Sequence, residues 1–372
     1  MNHKTRWTLQ KIARRLALIQ LPQAYLLVAA LALASCRGPQ ATTVLPVSAS
    51  PTPVAPTFQP SALASPTASL TLAPTLTATP VPPPTLTPTP DPYRGLYIDD
   101  LQAREYGGGE ITLVQTLAVT PGFTRTLIAY PSDGFTIYGF MNIPRGPGPF
   151  PVIIVNHGYL DPAQYQTLAY MTRYTDPLAR AGFLVVHADY RGYGSSDSGP
   201  NLFRAGYAID VLNLIALVKG LAEADPQAIG LFGHSMGGGI SLRASAVSPD
   251  VKAVLLYGSM SGDENANFAK IAEWRGDPNL PELSAPPEVV ARVSPINYLA
   301  NIQAAVSIHH GDRDATVPPE WSADLYARLS EAGKNVEYFS YPGQPHTFVD
   351  DGHNLLIERS IAFFDRHLRE AK

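Results

Sequence analysis

The chain has 372 residues with 31 acidic and 27 basic side chains, a formal net charge of −4, and one cysteine, Cys36. A single cysteine excludes an intramolecular disulfide, and Lys and Arg scattered without an aromatic-interleaved basic stripe leave no footprint for nucleic acid.

From the N-terminus, Met1 to Arg15 carries five Lys or Arg and no acid, Leu16 to Ala34 is mostly apolar, and Leu33-Ala34-Ser35-Cys36 follows. A basic region, an apolar region and a small-residue cleavage site make an export leader. Residues 1–36 resemble a bacterial lipoprotein signal, in which Cys36 is acylated and becomes the new N-terminus; an ordinary secretory signal and an uncleaved anchor helix are the competing readings. The lipoprotein reading implies an exported protein held by lipid on the outer side of the envelope membrane, since two or more acyl chains hold durably. Residues 37–92 shift to Pro, Thr, Ser, Ala and Leu, with no charged residue from Gln40 to Pro90. Frequent prolines forbid helix and remove backbone donors, so this segment is expected to be a disordered, extended stalk reaching at most about 170 Å at roughly 3.1 Å per residue.

Residues 93–372 are long enough to bury one large core. Thr124 to Tyr130 and Phe135 to Ile143, split by Pro131-Ser132-Asp133-Gly134, predict an antiparallel hairpin. Alternation follows: strands at 152–155, 183–186, 228–232, 253–257, 305–308 and 336–341, and helices at 172–181, 205–221, after Ser235, at 319–331 and at 355–368. That order predicts an α/β domain, a mostly parallel sheet with helices on both faces and its chemistry at the C-terminal strand ends. Between the strands near 257 and 305, residues 258–300 hold Trp274, Pro278, Pro281, Pro286 and Pro287, with helical turns expected at 266–274 and 287–293, and are expected to form a small cap.

Strand 228–232 runs into Gly233-His234-Ser235-Met236-Gly237-Gly238 and then a helix. A Gly-x-Ser-x-Gly turn between strand and helix is a nucleophile elbow, presenting Ser235 where a base and oxyanion donors can reach it. Glycines 233, 237 and 238 are expected to take strained dihedrals and admit close neighbours. The acid is sought in His310-Gly311-Asp312-Arg313-Asp314, where Asp314 lies further into the loop and Asp312 is placed to brace the turn. The base is His346, after the last predicted strand, so chain order runs Ser, Asp, His. His234, His309, His310, His353, His367 and His187 lie in the elbow, on strands or on the terminal helix. The oxyanion donors are the amides of Met236 and of Tyr159, in Asn156-His157-Gly158-Tyr159, with His157 as a structural brace.

In this order Asn156-His157-Gly158-Tyr159, Asp189-Tyr190-Arg191-Gly192-Tyr193-Gly194, Gly233-His234-Ser235-Met236-Gly237-Gly238, Ser294-Pro295-Ile296-Asn297-Tyr298, His310-Gly311-Asp312-Arg313-Asp314 and Tyr341-Pro342-Gly343 with His346 resemble the catalytic domain of the prolyl oligopeptidase family, on an α/β-hydrolase fold. The likeness spans about 124–369. It implies a Ser235, His346, Asp314 acyl-enzyme mechanism with no metal or organic cofactor. Relatives of that family usually carry an N-terminal β-propeller that filters peptides, whereas about thirty ordered residues are expected here before the hairpin. This favours an esterase on small esters, similar to dienelactone hydrolase. Short peptides are the alternative substrate, with Glu264, Glu273 and Asp263 as candidate holders of a free amino terminus. A non-catalytic surface binding protein is the third reading, and the oligomeric state is left open.

Overall fold

The computed structural model describes residues 91–370. The expected leader, Cys36 and most of the stalk lie outside the described residues. Among these residues no helix is long and apolar enough to cross a membrane.

Nine strands form one sheet: β1 (Thr112–Val119), β2 (Phe123–Ser132), β3 (Phe135–Pro144), β4 (Phe150–Asn156), β5 (Leu184–Ala188), β6 (Ala224–His234), β7 (Val251–Tyr257), β8 (Ala305–Gly311) and β9 (Val336–Tyr341). Their spatial order is β1-β2-β3-β5-β4-β6-β7-β8-β9, antiparallel through β3 against β5 and parallel from β5 to β9. The predicted hairpin is β2 and β3, joined at Asp133 (φ 52°) and Gly134 (φ 84°), the paired positive dihedrals of a primed turn. The strand before it, β1, is missing from the sequence reading. Its burial is exposed nearly throughout, so it shows no alternation of apolar and polar positions.

The helices are α1 (Ile98–Ala103), α2 (Thr172–Arg180), α3 (Ala205–Val218), α4 (Met236–Val247), α5 (Glu264–Arg275), α6 (Pro287–Val293), α7 (Pro319–Glu331) and α8 (Asp350–Leu368). Residues of α1, α3, α4 and α7 pack with one apolar cluster, and those of α2 and α8 with a second, so both sheet faces are covered. Strands β4 to β8 are buried almost end to end, as sandwiched parallel strands must be. This is the α/β-hydrolase fold.

The 258–300 segment is an ordered cap. It carries α5, a 3-10 turn at Pro281–Ser284, α6 and a second turn starting at Pro295. A third apolar cluster of Tyr97, Phe203, Phe268, Leu280, Val289 and Val293 holds it. Asp263 caps α5 by accepting from the Asn265 amide at 2.9 Å, and Gly276 (φ 62°) ends it.

Candidate active site

Four chain segments leaving the C-terminal ends of β4, β6, β8 and β9 meet at one cavity of about 730 Å³. Its wall includes Ser235, Met236 and His346 from the sheet side, Tyr159 from the loop after β4, and Phe268, Ile271, Trp274, Arg275 and Leu280 from the cap.

Ser235 follows β6 with φ 55° and ψ −118°, outside the regions open to side-chain-bearing residues, at a cost of about 1–3 kcal/mol. Four backbone bonds hold it there: its amide donates to Tyr257 O at 2.9 Å, and its carbonyl accepts from Gly238 N at 3.0 Å, Met260 N at 3.1 Å and Gly239 N at 3.4 Å. The strained dihedral thus sits on the serine, while none of Gly233, Gly237 and Gly238 has a positive φ. Those glycines serve by close approach. A Cβ on Gly237 would lie 2.1 Å from Asn156 O, and one on Gly233 would lie 2.3 Å from Gly237 O.

His346 Nδ1 is 2.7 Å from Asp314 Oδ2, and His346 and Ser235 line the same cavity. Asp314 is fully engaged. Its Oδ1 accepts from the Thr316 and Val317 amides, both at 2.8 Å, and His310 Nε2 reaches Oδ2 at 3.0 Å. Burial alone would raise this carboxyl, but hydrogen bonds from His310 and His346, with the His346 charge and the Val317 amide, outweigh it and hold Asp314 well below the usual carboxylate range. Asp312 instead accepts from the Gly343 amide at 2.6 Å and braces the turn after β9. The structure therefore brings Asp314, and not Asp312, to His346.

The oxyanion loop is set from below by His157. Its ring is wholly buried, stacked against Tyr165 and Tyr190 at 4.9 and 4.4 Å, and burial pushes it down to about 4, so it is neutral. Its Nδ1 lies 2.7 Å from the Gly158 carbonyl and its Nε2 3.0 Å from the Asp189 carbonyl, and a neutral imidazole donates through one nitrogen at a time. The C=O and N–H of a trans peptide point opposite ways, so anchoring the Gly158 oxygen in the core turns the Tyr159 amide toward the cavity. The loop lies directly on the serine: a Cβ on Gly158 would be 3.1 Å from that of Ser235. Met236 opens α4, where an amide has no partner within the helix.

Two supports were not assigned from the sequence. The Tyr170 hydroxyl bonds His234 Nδ1, leaving His234 Nε2 to donate to the His346 carbonyl at 3.2 Å; burial, then the His346 charge, push the His234 ring down to about 3. His310 accepts on Nδ1 from Ser322 Oγ at 2.6 Å and donates its one ring proton, on Nε2, to Asp314 at 3.0 Å. The i, i+4 spacing of His310 and Asp314 was the legible sign of that pair. The three acids considered for binding an amine are otherwise occupied: Asp263 caps α5, Glu273 pairs with Lys270 at 2.9 Å, and Glu264 is buried between Arg243 and Arg204.

This arrangement can generate a nucleophilic serine, hold an imidazole in one tautomer and stabilise an oxyanion. The profile of the prolyl oligopeptidase family matches residues 168–371. The chain is 25% identical over 255 residues to the uncharacterized peptidase YuxL of Bacillus subtilis, covering 63% of this chain and 38% of that protein. It spans less than two thirds of the length of the curated relatives it matches first. Among solved structures, an acetyl xylan esterase from Paenibacillus sp. R4 superposes with a TM-score of 0.58 at 20% identity over 75% of this chain and 96% of that one. A puromycin-hydrolyzing peptidase of Mycobacterium tuberculosis gives 0.55 at 19% identity over 68% and 40%.

Proposed function

The chain belongs to the prolyl oligopeptidase family and is a serine hydrolase, and on that premise we propose that it cleaves carboxylic esters by acyl transfer through Ser235, His346 and Asp314. His346, oriented by Asp314, takes the Ser235 proton as Oγ attacks the ester carbonyl, and the Met236 and Tyr159 amides receive the oxyanion. His346 returns the proton to the departing alcohol, leaving an acyl-serine. Water, deprotonated by the same imidazole, releases the acid and restores the hydroxyl.

The observation that carries the ester reading over the peptidase reading is the charge on the cavity wall. The three cap acids read from the sequence as holders of a free amino terminus, Asp263, Glu264 and Glu273, are committed to other partners, so that role would fall to Glu282 alone. Arg204 and Arg275 line the cavity against one acid, Glu282. The acetyl xylan esterase matched over nearly its whole length is a precedent for ester cleavage by a domain of this extent. Profiling the full chain against p-nitrophenyl esters of graded acyl length and against aminoacyl and prolyl amides tests the reading. Each catalysed rate is divided by the uncatalysed one, because esters are the easier substrates; a larger acceleration for an amide overturns it.

We also propose that Cys36 is acylated and holds the enzyme on the outer face of the envelope membrane, supported by the basic start, the apolar run and the single cysteine. Incorporation of labelled fatty acid that Cys36→Ser abolishes is the expected result, with ester hydrolysis retained. No incorporation into the native protein rejects the anchor.

A further inference from the structure

Arg204 stands on the cavity wall in a left-handed backbone conformation, φ 56° and ψ 18°, and Phe203 before it has φ 52° and ψ 22°. Neither residue is a glycine, so each conformation is strained and persists only because its surroundings impose it. Those surroundings are buried and ionic. Arg243, almost fully buried, donates from Nη1 to the Phe203 carbonyl at 2.6 Å and from Nη2 to Glu264 Oε1 at 2.7 Å and Val293 O at 3.0 Å. Glu264 turns its other oxygen to Arg204 Nη2 and to Asn267 Nδ2. The Arg204 guanidinium is further set by the Phe268 ring, whose centroid is 4.9 Å away.

Two guanidiniums therefore share one carboxylate behind the wall. Of the five N–H groups Arg204 carries, one is committed to Glu264, and the side chain keeps 12% of its surface open where it lines the cavity. The wall also carries Arg275 and Glu282, of opposite sign, while Arg204 and Arg243 outnumber Glu264 by one positive charge. Position distinguishes the ends of the cavity. Tyr159 and Trp274, 58% and 43% exposed, mark its mouth, whereas Arg204 lies among Phe268 and Leu280, each 6% exposed. In acyl transfer the alcohol departs first while the acyl group stays on the serine, so a contact deep in the cavity that lasts through both steps is one to the acyl group.

Resting on the ester reading above, we propose that Arg204 binds a carboxylate at the far end of the acyl group, so that the preferred substrates are half-esters of dicarboxylic acids. The strain at 203 and 204 then serves to hold an Arg fork facing the cavity before substrate arrives, which lowers the ordering cost of binding.

The test compares the mono-p-nitrophenyl ester of adipic acid with its neutral adipic monoamide counterpart on the full chain, with the uncatalysed rate subtracted. The expected result is a kcat/KM ratio of at least about tenfold favouring the carboxylate, falling as salt is raised. Arg204→Gln brings the ratio to about one, while Arg204→Lys keeps part of it. A wild-type ratio at or below one, or a ratio that survives Arg204→Gln, overturns the proposal. Should Arg204→Gln not fold, the salt dependence of the wild-type ratio and the Arg204→Lys value decide it. Failure of the ester reading shows separately, as cleavage of both esters no faster than by Ser235→Ala. In that event titration calorimetry on Ser235→Ala decides: adipate binding at least about tenfold tighter than adipamide supports the site, and equal or absent binding removes it.

Discussion

On the sheet side of the cavity, Ser235, Asp314 and His346 leave three different strands, and each is fixed by bonds to residues far away in sequence: Ser235 by Tyr257, Asp314 by His346 and His346 by His234. On the cap side, Phe268, Ile271, Trp274, Arg275 and Leu280 come from a single inserted stretch between β7 and β8, held by one apolar cluster and one buried ion group. The first wall is determined by the sheet and tolerates little change. The second depends on one short stretch and a few residues that pin it, Tyr97, Phe203 and Arg243, so selectivity can vary there while the chemistry stays in place.

The largest expected difference between the walls is in turnover. Ser235→Ala should lower kcat by about 10⁴-fold or more and abolish labelling by fluorophosphonates, whereas Trp274→Ala in the cap should act mainly on KM. Steady-state kinetics on both variants measures the contrast, and a Ser235→Ala enzyme with full activity ends it.

Next is the choice between two aspartates one residue apart. Asp314→Asn removes the acceptor that fixes the His346 tautomer and should reduce kcat by roughly 10³–10⁴-fold. Asp312→Asn loosens only the turn at Gly343 and should stay within about tenfold of wild type, by the same assay. The reverse ranking would move the orienting role to Asp312.

What the sequence made legible divides along the same line. The elbow, the acid loop and the His346 loop are short motifs beside apolar strands, so their residues and order were readable, and so was the alternation that gives the parallel sheet. Strand β1 was not readable because its side chains are mostly exposed and carry no period. Arg204 was not readable because its meaning comes from Glu264 and Arg243, 60 and 39 positions further along, and from a left-handed backbone that no local residue pattern announces.

A third contrast is electrostatic. Under the oxyanion loop, burial raises Asp189 to about 7 against the hydrogen bonds from Tyr165 and Thr167, both at 2.7 Å. A carboxyl with a raised folded pKa binds more protons folded than unfolded between roughly pH 4 and 7, so its contribution to stability is present at low pH and lost as pH rises through that window. About three units correspond to at most about 4 kcal/mol. Urea denaturation at pH 4.5, 6 and 7.5 should show Asp189→Asn gaining on wild type as pH rises. Parallel profiles would mean that Asp189 is charged throughout.

The smallest expected effect separates the two walls by packing alone, using one glycine from each. Gly237 on the sheet side has an ordinary φ, and an added Cβ would fall 2.1 Å from the Asn156 carbonyl oxygen and 2.7 Å from that of His157, atoms of the sheet and oxyanion loop that have nowhere to go. Gly276 at the end of α5 has φ 62° and nothing within 4 Å of its added Cβ, so alanine there meets only backbone strain. Gly237→Ala should therefore cost about 3 kcal/mol or more, through displacement of packed backbone, and should lower kcat as the oxyanion loop shifts. Gly276→Ala should cost about 1 kcal/mol, the price of a left-handed alanine, with kcat unchanged. Thermal denaturation and ester kinetics on the two variants give both numbers. Equal costs would mean that the sheet side yields as readily as the cap, and that the division between a fixed wall and a variable one is wrong.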